Sequence, residues 1–190
     1  AKKNISVNAV VESIGGIKNT AVDYVSDDIQ ELIKAKANEG DSVGGKVICS
    51  ATGIPVGIGG PLFDGIEGKL SNLLFGIPAV KAVEFGLGEE YSVSAGSEVN
   101  DQYRVENGNV VITSNNNGGI TGGITNGNPI DVKVTFKPTP SIFKNQHTVD
   151  LVNMENCDLK IQGRHDPCIV IRAVPVVEAV MSIGIMDMVI

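Results

Sequence analysis

The residues best suited to chemistry stand in one short motif, Arg164-His165-Asp166, between a strand-like segment and a long apolar helical pattern. A guanidinium group and the N–H groups of a helix N-terminus can bind an anion, and a carboxylate beside them can handle a proton. A structural interpretation stays open, in which Arg164 and Asp166 form an ion pair and Asp166 caps the helix. We expect His165 to be a hydrogen-bonded structural residue rather than a base or a ligand.

Two loops could add backbone groups and a cation to an anion site. The run Gly118-Gly119-Ile120-Thr121-Gly122-Gly123 can present bare N–H groups, although its spacing matches neither GxGxxG nor GxxxxGK[ST]. The second loop, Lys137-Pro138-Thr139-Pro140-Ser141, offers a cation, two hydroxyl groups and a backbone stiffened by proline. Each loop has a structural alternative, a Gly/Asn hairpin turn for the first and a rigid turn for the second.

Other kinds of site are disfavoured by the histidines and cysteines. The chain has two histidines and three cysteines, Cys49, Cys157 and Cys168, without a CxxC spacing. This pattern predicts no metal site and no disulfide framework, and it fits reduced thiols in the cytoplasm. Two histidines without a motif around them also assemble no Ser-His-Asp or Cys-His arrangement.

The charge and composition exclude two classes of partner. The formal charge is −7, from 15 basic and 22 acidic residues, so we expect no nucleic-acid partner and no membrane surface patch. The most apolar stretch, residues 174–190, carries Glu178 and Asp187, which favours a buried helix over a membrane span. The chain opens without the apolar region of a signal peptide.

The elements that must position these residues can be predicted from hydrophobic periodicity and turn residues. Ser26 is expected to cap a helix that ends at Gly40, and Pro175 is expected in the first turn of the last helix. A second amphipathic helix is predicted over residues 62–74, with Leu62 on its apolar face. Strands are predicted over residues 5–14, 43–51, 79–85, 129–136 and 157–161. The pattern predicts an α+β or layered α/β fold, with residues 1–190 as a single domain.

Several segments, taken in order, resemble the chorismate synthase family over roughly residues 26–190. They are EGDSVGG (39–45), IPAVK (77–81), GSE (96–98), NGGITGGI (117–124), KPTPS (137–141), GRHDPC (163–168) and RAVPVVEA (172–179). The resemblance implies an α+β fold, a layered β-α-β sandwich with helices packed between antiparallel sheets. The chain would be the C-terminal half or so of that fold.

The resemblance also implies an activity. Enzymes of this family are carbon–oxygen lyases. They act in the shikimate pathway, which leads to the aromatic amino acids. They convert the small molecule 5-enolpyruvylshikimate 3-phosphate to chorismate and phosphate, and they need reduced FMN without net redox turnover. Cytoplasmic localisation, a homotetramer and NADPH as a candidate reductant follow from the same resemblance.

The family's site residues can be placed by number in this sequence. Asp166 corresponds to the aspartate that handles a proton at flavin N5, and Arg164 lies where the substrate phosphate and FMN meet. The family's flavin-contacting positions fall on Pro78, Ala79, Gly122, Lys137, Pro138, Thr139, Pro140, Ser141 and Arg164. The sequence departs from the family at Ala82, where glycine is frequent, and at Ile171, where proline is common.

Some family signatures have no counterpart in these 190 residues. They are the Gly-Ser-His-Gly segment, the arginine-rich substrate segments and a second catalytic histidine. We therefore expect this chain to be inactive by itself. Two alternatives stay open, a non-catalytic fragment of the same fold and a phosphate- or flavin-binding module.

Overall fold

A five-stranded antiparallel sheet is the centre of the protein, which a computed structural model describes over residues 4–21, 24–163 and 165–190. The strands in chain order are β1 (Ser6–Ile14), β2 (Ile17–Lys18), β3 (Gly45–Thr52), β4 (Val80–Phe85), β5 (Tyr103–Glu106), β6 (Asn109–Ile112), β7 (Ile120–Thr121), β8 (Ile124–Thr125), β9 (Ile130–Phe136), β10 (Gln146–Asp150) and β11 (Glu155–Leu159). The helices are α1 (Asp27–Asn38), α2 (Ile66–Phe75), α3 (Gly96–Val99) and α4 (Val170–Val189). The central sheet has the order β2-β1-β3-β9-β4.

The alternation of side chains in β9 shows why the sheet has one apolar face. Its residues Ile130, Val132, Val134 and Phe136 are buried, whereas the residues between them are only half-buried. Because successive side chains of a strand point to opposite faces, all four apolar side chains join one core. Antiparallel pairing aligns them with the buried residues of β3, for example Val132 with Cys49.

Helices α2 and α4 cover this apolar face. The buried residues of α4 follow one face of the helix, at intervals of three or four up to the adjacent pair at its end. They are Val170, Ala173, Val177, Met181, Gly184 and Ile185. At Gly184 the two helices approach closely, because a Cβ atom there would lie 2.7 Å from Leu70 Cδ2 of α2. The resulting helix layer on an antiparallel sheet confirms the predicted α+β class. None of the described helices is long and apolar enough to cross a membrane.

Three predicted helix features need correction. The last helix begins at Val170, so Pro175 lies in its interior rather than in its first turn, because the packing of Val170 and Ala173 extends the helix towards the N-terminus. Leu62 is 88% exposed in a separate 3₁₀ turn, and the amphipathic stripe starts only at Ile66. Ser26 precedes α1, but its hydroxyl makes no capping bond to the helix backbone and donates to Asp28 instead.

Two excursions leave the core. Residues 86–129 connect β4 to β9 and contain the hairpins β5–β6 and β7–β8. Hairpin β10–β11 pairs only with itself among the described strands, and its second strand is exposed throughout. That second strand begins at Glu155, two residues before the strand predicted at 157–161. The assignment of residues 1–190 to one domain stays a prediction.

Candidate functional site

Three of the predicted segments meet at one end of the central sheet, and we call them the loop cluster: residues 78–79, 137–141 and 165–167. Antiparallel pairing of Val80 with Phe136 places the residues just outside both strands side by side. The Lys137 N–H donates to the Ala79 carbonyl at 3.0 Å. The third segment joins because the Val43 N–H, just before β3, donates to the Pro167 carbonyl at 2.8 Å.

Ala79 holds an unusual backbone conformation in this cluster, with a φ of +72°. An alanine in the left-handed region is strained by its Cβ atom, at a cost of order 1 kcal/mol. The surrounding hydrogen bonds must hold it there, including the bond from Lys137. Strain of this kind often accompanies functional sites.

The Lys137–Ser141 loop is held in place by Ser42 and Gly44, in the segment that follows α1. The Ser42 hydroxyl donates to the Thr139 carbonyl at 2.6 Å. Gly44 allows close backbone approach, because a Cβ atom there would lie 2.5 Å from the Phe136 carbonyl oxygen and 3.0 Å from Pro138 Cδ. Lys137 is exposed, and none of the ion pairs among the described residues includes it, so its charge is available to an anionic ligand.

Thr139 carries an unused hydrogen-bonding group. Its Oγ1 atom is buried and has no hydrogen-bond partner among residues 4–21, 24–163 and 165–190. Leaving a buried hydroxyl unsatisfied costs about 1–3 kcal/mol, so such an atom points to a bound group that completes it. A polar cofactor that reaches the loop cluster would satisfy it.

Asp166 is oriented by two neighbours. Its Oδ1 accepts the Cys168 N–H at 3.0 Å, and its Oδ2 accepts a hydrogen bond from Arg172 Nη1 at 3.2 Å. The carboxylate is 28% exposed, whereas Arg172 is 82% exposed, so this ion pair is weak. Among the described residues, Asp166 forms its ion pair with Arg172. Arg164, which the sequence offered as an ion-pair partner of Asp166, lies outside the described residues.

His165 packs against an aromatic ring. Its ring meets Phe143 edge-on, with 5.1 Å between the ring centroids. Its Nε2 is buried without a hydrogen-bond partner in the described chain, so the expected hydrogen-bonded histidine is not found at that nitrogen. His165, Asp166, Ser141 and Phe143 line a small cavity of about 70 Å³.

Gly122 does not join the loop cluster. It forms the turn between β7 and β8, and this turn lies beside the start of α2, where the Ile66 N–H donates to the Gly123 carbonyl at 3.1 Å. Lys137 follows the opposite end of the seven-residue strand β9, which separates the two by on the order of 20 Å. A Cβ atom on Gly122 would meet no atom within 4 Å, so the turn faces open space.

Burial disfavours the thiolate form of two of the three cysteines. Burial, with smaller contributions from the carboxylates of Glu178 and Asp131, raises the pKa of the Cys49 thiol to about 12. Burial likewise raises the pKa of Cys168, whereas Cys157 is exposed on β11. The part of the chain that the structure describes contains no group of three His, Cys, Asp or Glu side chains that could hold a metal ion.

Sequence reasoning missed the residues that hold these loops in place, chiefly Ser42, Gly44 and Phe143. Ser42 and Gly44 stand in the EGDSVGG segment, but only the tertiary structure shows that they contact residues almost a hundred positions away. Asp101 was missed too, although it accepts three hydrogen bonds from the segment that leads to Gly122.

Comparison with known proteins identifies relatives of this arrangement. A sequence model of the chorismate synthase family matches residues 1–190. The chorismate synthase of Pyrococcus abyssi is 52% identical over 157 residues, which are 83% of this chain and 44% of that protein. The one from Methanosphaera stadtmanae is 42% identical over 187 residues, or 97% of this chain and 51% of that protein.

A solved structure shares the fold. The crystal structure of a chorismate synthase superposes with a TM-score of 0.78 at 26% sequence identity, covering 97% of this chain and 56% of that one. The chain thus spans about half the length of the proteins that it matches.

Proposed function

The chain belongs to the chorismate synthase family, and from that premise we propose that it is the flavin-holding portion of a carbon–oxygen lyase. The enzyme would act on 5-enolpyruvylshikimate 3-phosphate. In the reaction, the bond between a ring carbon and the phosphate oxygen breaks, a ring C–H bond gives up its proton, and chorismate and phosphate leave. The observation that carries the proposal is the loop cluster, where Lys137 bonds to Ala79 and the end of the Lys137–Ser141 loop shares a cavity with Asp166.

The loop cluster fits a reduced flavin, FMN in this proposal. The buried Oγ1 of Thr139 lacks a partner in the described chain, and the free ammonium of Lys137 can hold an anionic group. Bound there, the flavin would supply electron density transiently and recover it. The prolines on both sides of Thr139 stiffen its loop, so it needs little reordering when a ligand binds.

Asp166 has the role of holding and moving a proton. Its two hydrogen bonds fix the carboxylate in one orientation while leaving it partly exposed at the cluster. A carboxylate held in this way can accept a proton from a bound molecule and return it. Arg164, two residues earlier, is proposed to contact the substrate phosphate on the strength of family membership.

Finer properties are proposed from family membership alone. They are a homotetramer, cytoplasmic localisation, NADPH as the reductant of the flavin, and Gly122 as a further flavin contact. A flavin that contacts both Gly122 and the loop cluster must bridge two ends of the sheet or touch one of them on a second copy of the chain.

The flavin assignment can be tested by titrating FMN into the full-length protein. Replacing Lys137 with Ala should weaken FMN binding by about 5- to 50-fold, because a charge-assisted contact is lost. Lys18→Ala is the matched control, since Lys18 is exposed on β2 at the opposite edge of the sheet. Equal FMN affinities for the two variants would remove Lys137 from the flavin site, and a protein that binds no flavin would support the non-catalytic alternative.

A further inference from the structure

The Asp101 carboxylate ties down the segment that leads to the Gly122 turn. Its Oδ1 accepts the Ser114 hydroxyl at 2.6 Å and the Asn116 N–H at 2.7 Å, and its Oδ2 accepts the Asn117 N–H at 2.9 Å. These donors lie 13 to 16 residues away along the chain. One side chain therefore joins the two ends of hairpin β5–β6, within the long excursion between β4 and β9.

The segment is fixed further by Asn115. Its side-chain amide donates to the Pro129 carbonyl at 2.9 Å and to the Asp131 carboxylate at 2.8 Å, while its Oδ1 accepts the Gly119 N–H at 2.8 Å. Gly118 packs directly on the backbone, because a Cβ atom there would lie 2.5 Å from the Gly86 nitrogen. Residues 114–119 are thus held against the strand β9 that they precede.

The other end of hairpin β7–β8, at Thr125, is also held by hydrogen bonds. Thr125 is 2% exposed, and its hydroxyl donates to the Pro55 carbonyl at 2.6 Å and accepts the Ile58 N–H at 2.8 Å. Between residues 114–119 and Thr125, the turn at Gly122 faces open space. A hairpin fixed at both ends presents the backbone N–H groups of its turn in one orientation.

We propose that Asp101 is a positioning residue, which holds the Gly122 turn in its ligand-binding conformation. This inference rests on the proposed function, in which Gly122 contacts the flavin. Without the carboxylate, the N–H groups of Asn116 and Asn117 and the Ser114 hydroxyl lose their common acceptor. Residues 114–119 are then held only by the Asn115 and Gly118 contacts, so the segment is less rigid and a smaller fraction of molecules presents the turn correctly.

The test compares Asp101→Asn with Asp150→Asn in the full-length protein. Asp150 is a matched control, because its carboxylate also accepts three hydrogen bonds, from the Val152 N–H, the Asn153 N–H and the Asn153 side chain. That cluster is local to hairpin β10–β11. If the competent turn falls to about a tenth of the molecules, Asp101→Asn raises the Kd for FMN about ten-fold, since apparent affinity scales with that fraction. Asp150→Asn should change it less than about two-fold.

Two further readouts separate positioning from general destabilisation. Hydrogen exchange should quicken at the Asn117 amide in Asp101→Asn, because asparagine keeps an oxygen for Ser114 and Asn116 but puts an NH2 group, which cannot accept, where Oδ2 stood. Turnover at saturating FMN should stay within a few-fold of the parent. Ser114→Ala removes one donor and keeps the carboxylate, so it should raise the Kd only about two- to four-fold while the protein stays folded. If Asp101→Asn does not fold, Ser114→Ala provides the test instead.

The outcomes are distinguishable. Unchanged FMN affinity in a folded Asp101→Asn protein, or equal losses in Asp101→Asn and Asp150→Asn, would overturn the positioning role while leaving the flavin site intact. A parent protein that binds no FMN would overturn the proposed function, and this inference with it. Unchanged Kd in Ser114→Ala, when Asp101→Asn is unfolded, also counts against the inference.

Discussion

At the scale of single residues, the loop cluster combines a fixed carboxylate with an unused hydroxyl. One oxygen of Asp166 accepts a backbone N–H, and the other accepts a hydrogen bond from an exposed arginine. Its orientation therefore does not depend on a buried ion pair. Thr139 keeps a buried Oγ1 without a partner in the described chain. The carboxylate can therefore be changed with little effect on stability, which makes its chemical role testable.

Replacing Asp166 with Asn should separate chemistry from stability. Asparagine keeps the acceptor for the Cys168 N–H but cannot take up a proton, so turnover of the full-length protein should fall by about 10²- to 10⁴-fold. FMN affinity and melting temperature should stay close to those of the parent. Steady-state assays, flavin titrations and thermal melts check these values.

The control for that substitution is Arg172→Gln, which breaks the same ion pair and keeps the carboxylate. It should leave turnover within a few-fold of the parent. If both variants lose melting temperature equally while turnover per folded molecule is unchanged, Asp166 is a structural residue.

At the scale of elements, the loop cluster depends on close contact between the end of β9 and the chain entering β3. Gly44 is the tightest point of that contact, since a Cβ atom there would press on the carbonyl of Phe136 and on Pro138. Both of these neighbours belong to backbone that the sheet and the proline ring hold in place. The strand pairing thus transmits any shift at Gly44 to Lys137 and Thr139.

Gly44→Ala should destabilise the protein by about 2–4 kcal/mol, because overpacking against backbone cannot be relieved by a side-chain rotation. Gly68→Ala is the matched control, and it should change the stability in the opposite direction. Gly68 lies in α2, where an added Cβ meets no atom within 4 Å, so alanine should stabilise the helix by about 0.5–1 kcal/mol. Urea unfolding measures both, and a Gly44→Ala protein as stable as the parent would contradict the close contact.

At the scale of the whole molecule, several acidic side chains are ionised and hydrogen-bonded in the fold. Burial raises the pKa of Asp101, but the hydrogen bonds from Ser114, Asn117 and Asn116 outweigh it and leave the pKa below its ordinary value. The Lys144 ammonium and the Ser42 N–H lower the pKa of Asp41, and the N–H groups of Asn153 and Val152 lower that of Asp150. Folding therefore favours the ionised form of each.

This arrangement predicts loss of stability in acid. A carboxyl group whose pKa is lower in the folded protein contributes stability that is fully present above its unfolded pKa, about 3.9, and is lost as pH falls through the folded value. The melting midpoint should drop by about 5 °C between pH 5 and pH 3. Circular dichroism melts across this range check it, and a constant or rising midpoint would contradict it. Asp101→Asn should show a shallower dependence.

Elements with strong, local periodicity are predictable from the amino-acid sequence alone. The alternation in residues 129–136 and the spacing in α1 predicted a strand and a helix that the structure confirms, because side-chain period reflects backbone geometry directly. Family membership and the α+β class were also readable, because ordered motifs such as KPTPS and RAVPVVEA carry that information without coordinates.

The arrangement of the motifs in space depends on the folded chain. The structure places the Lys137 loop beside Ala79 and leaves Gly122 at the far end of β9, a separation that sequence order cannot show because it depends on strand pairing. It also pairs Asp166 with Arg172, and it makes Ser42, Gly44 and Asp101 the anchors of the loops. Such contacts join residues far apart in the chain, so a local sequence pattern does not predict them. The sheet register sets which residues meet.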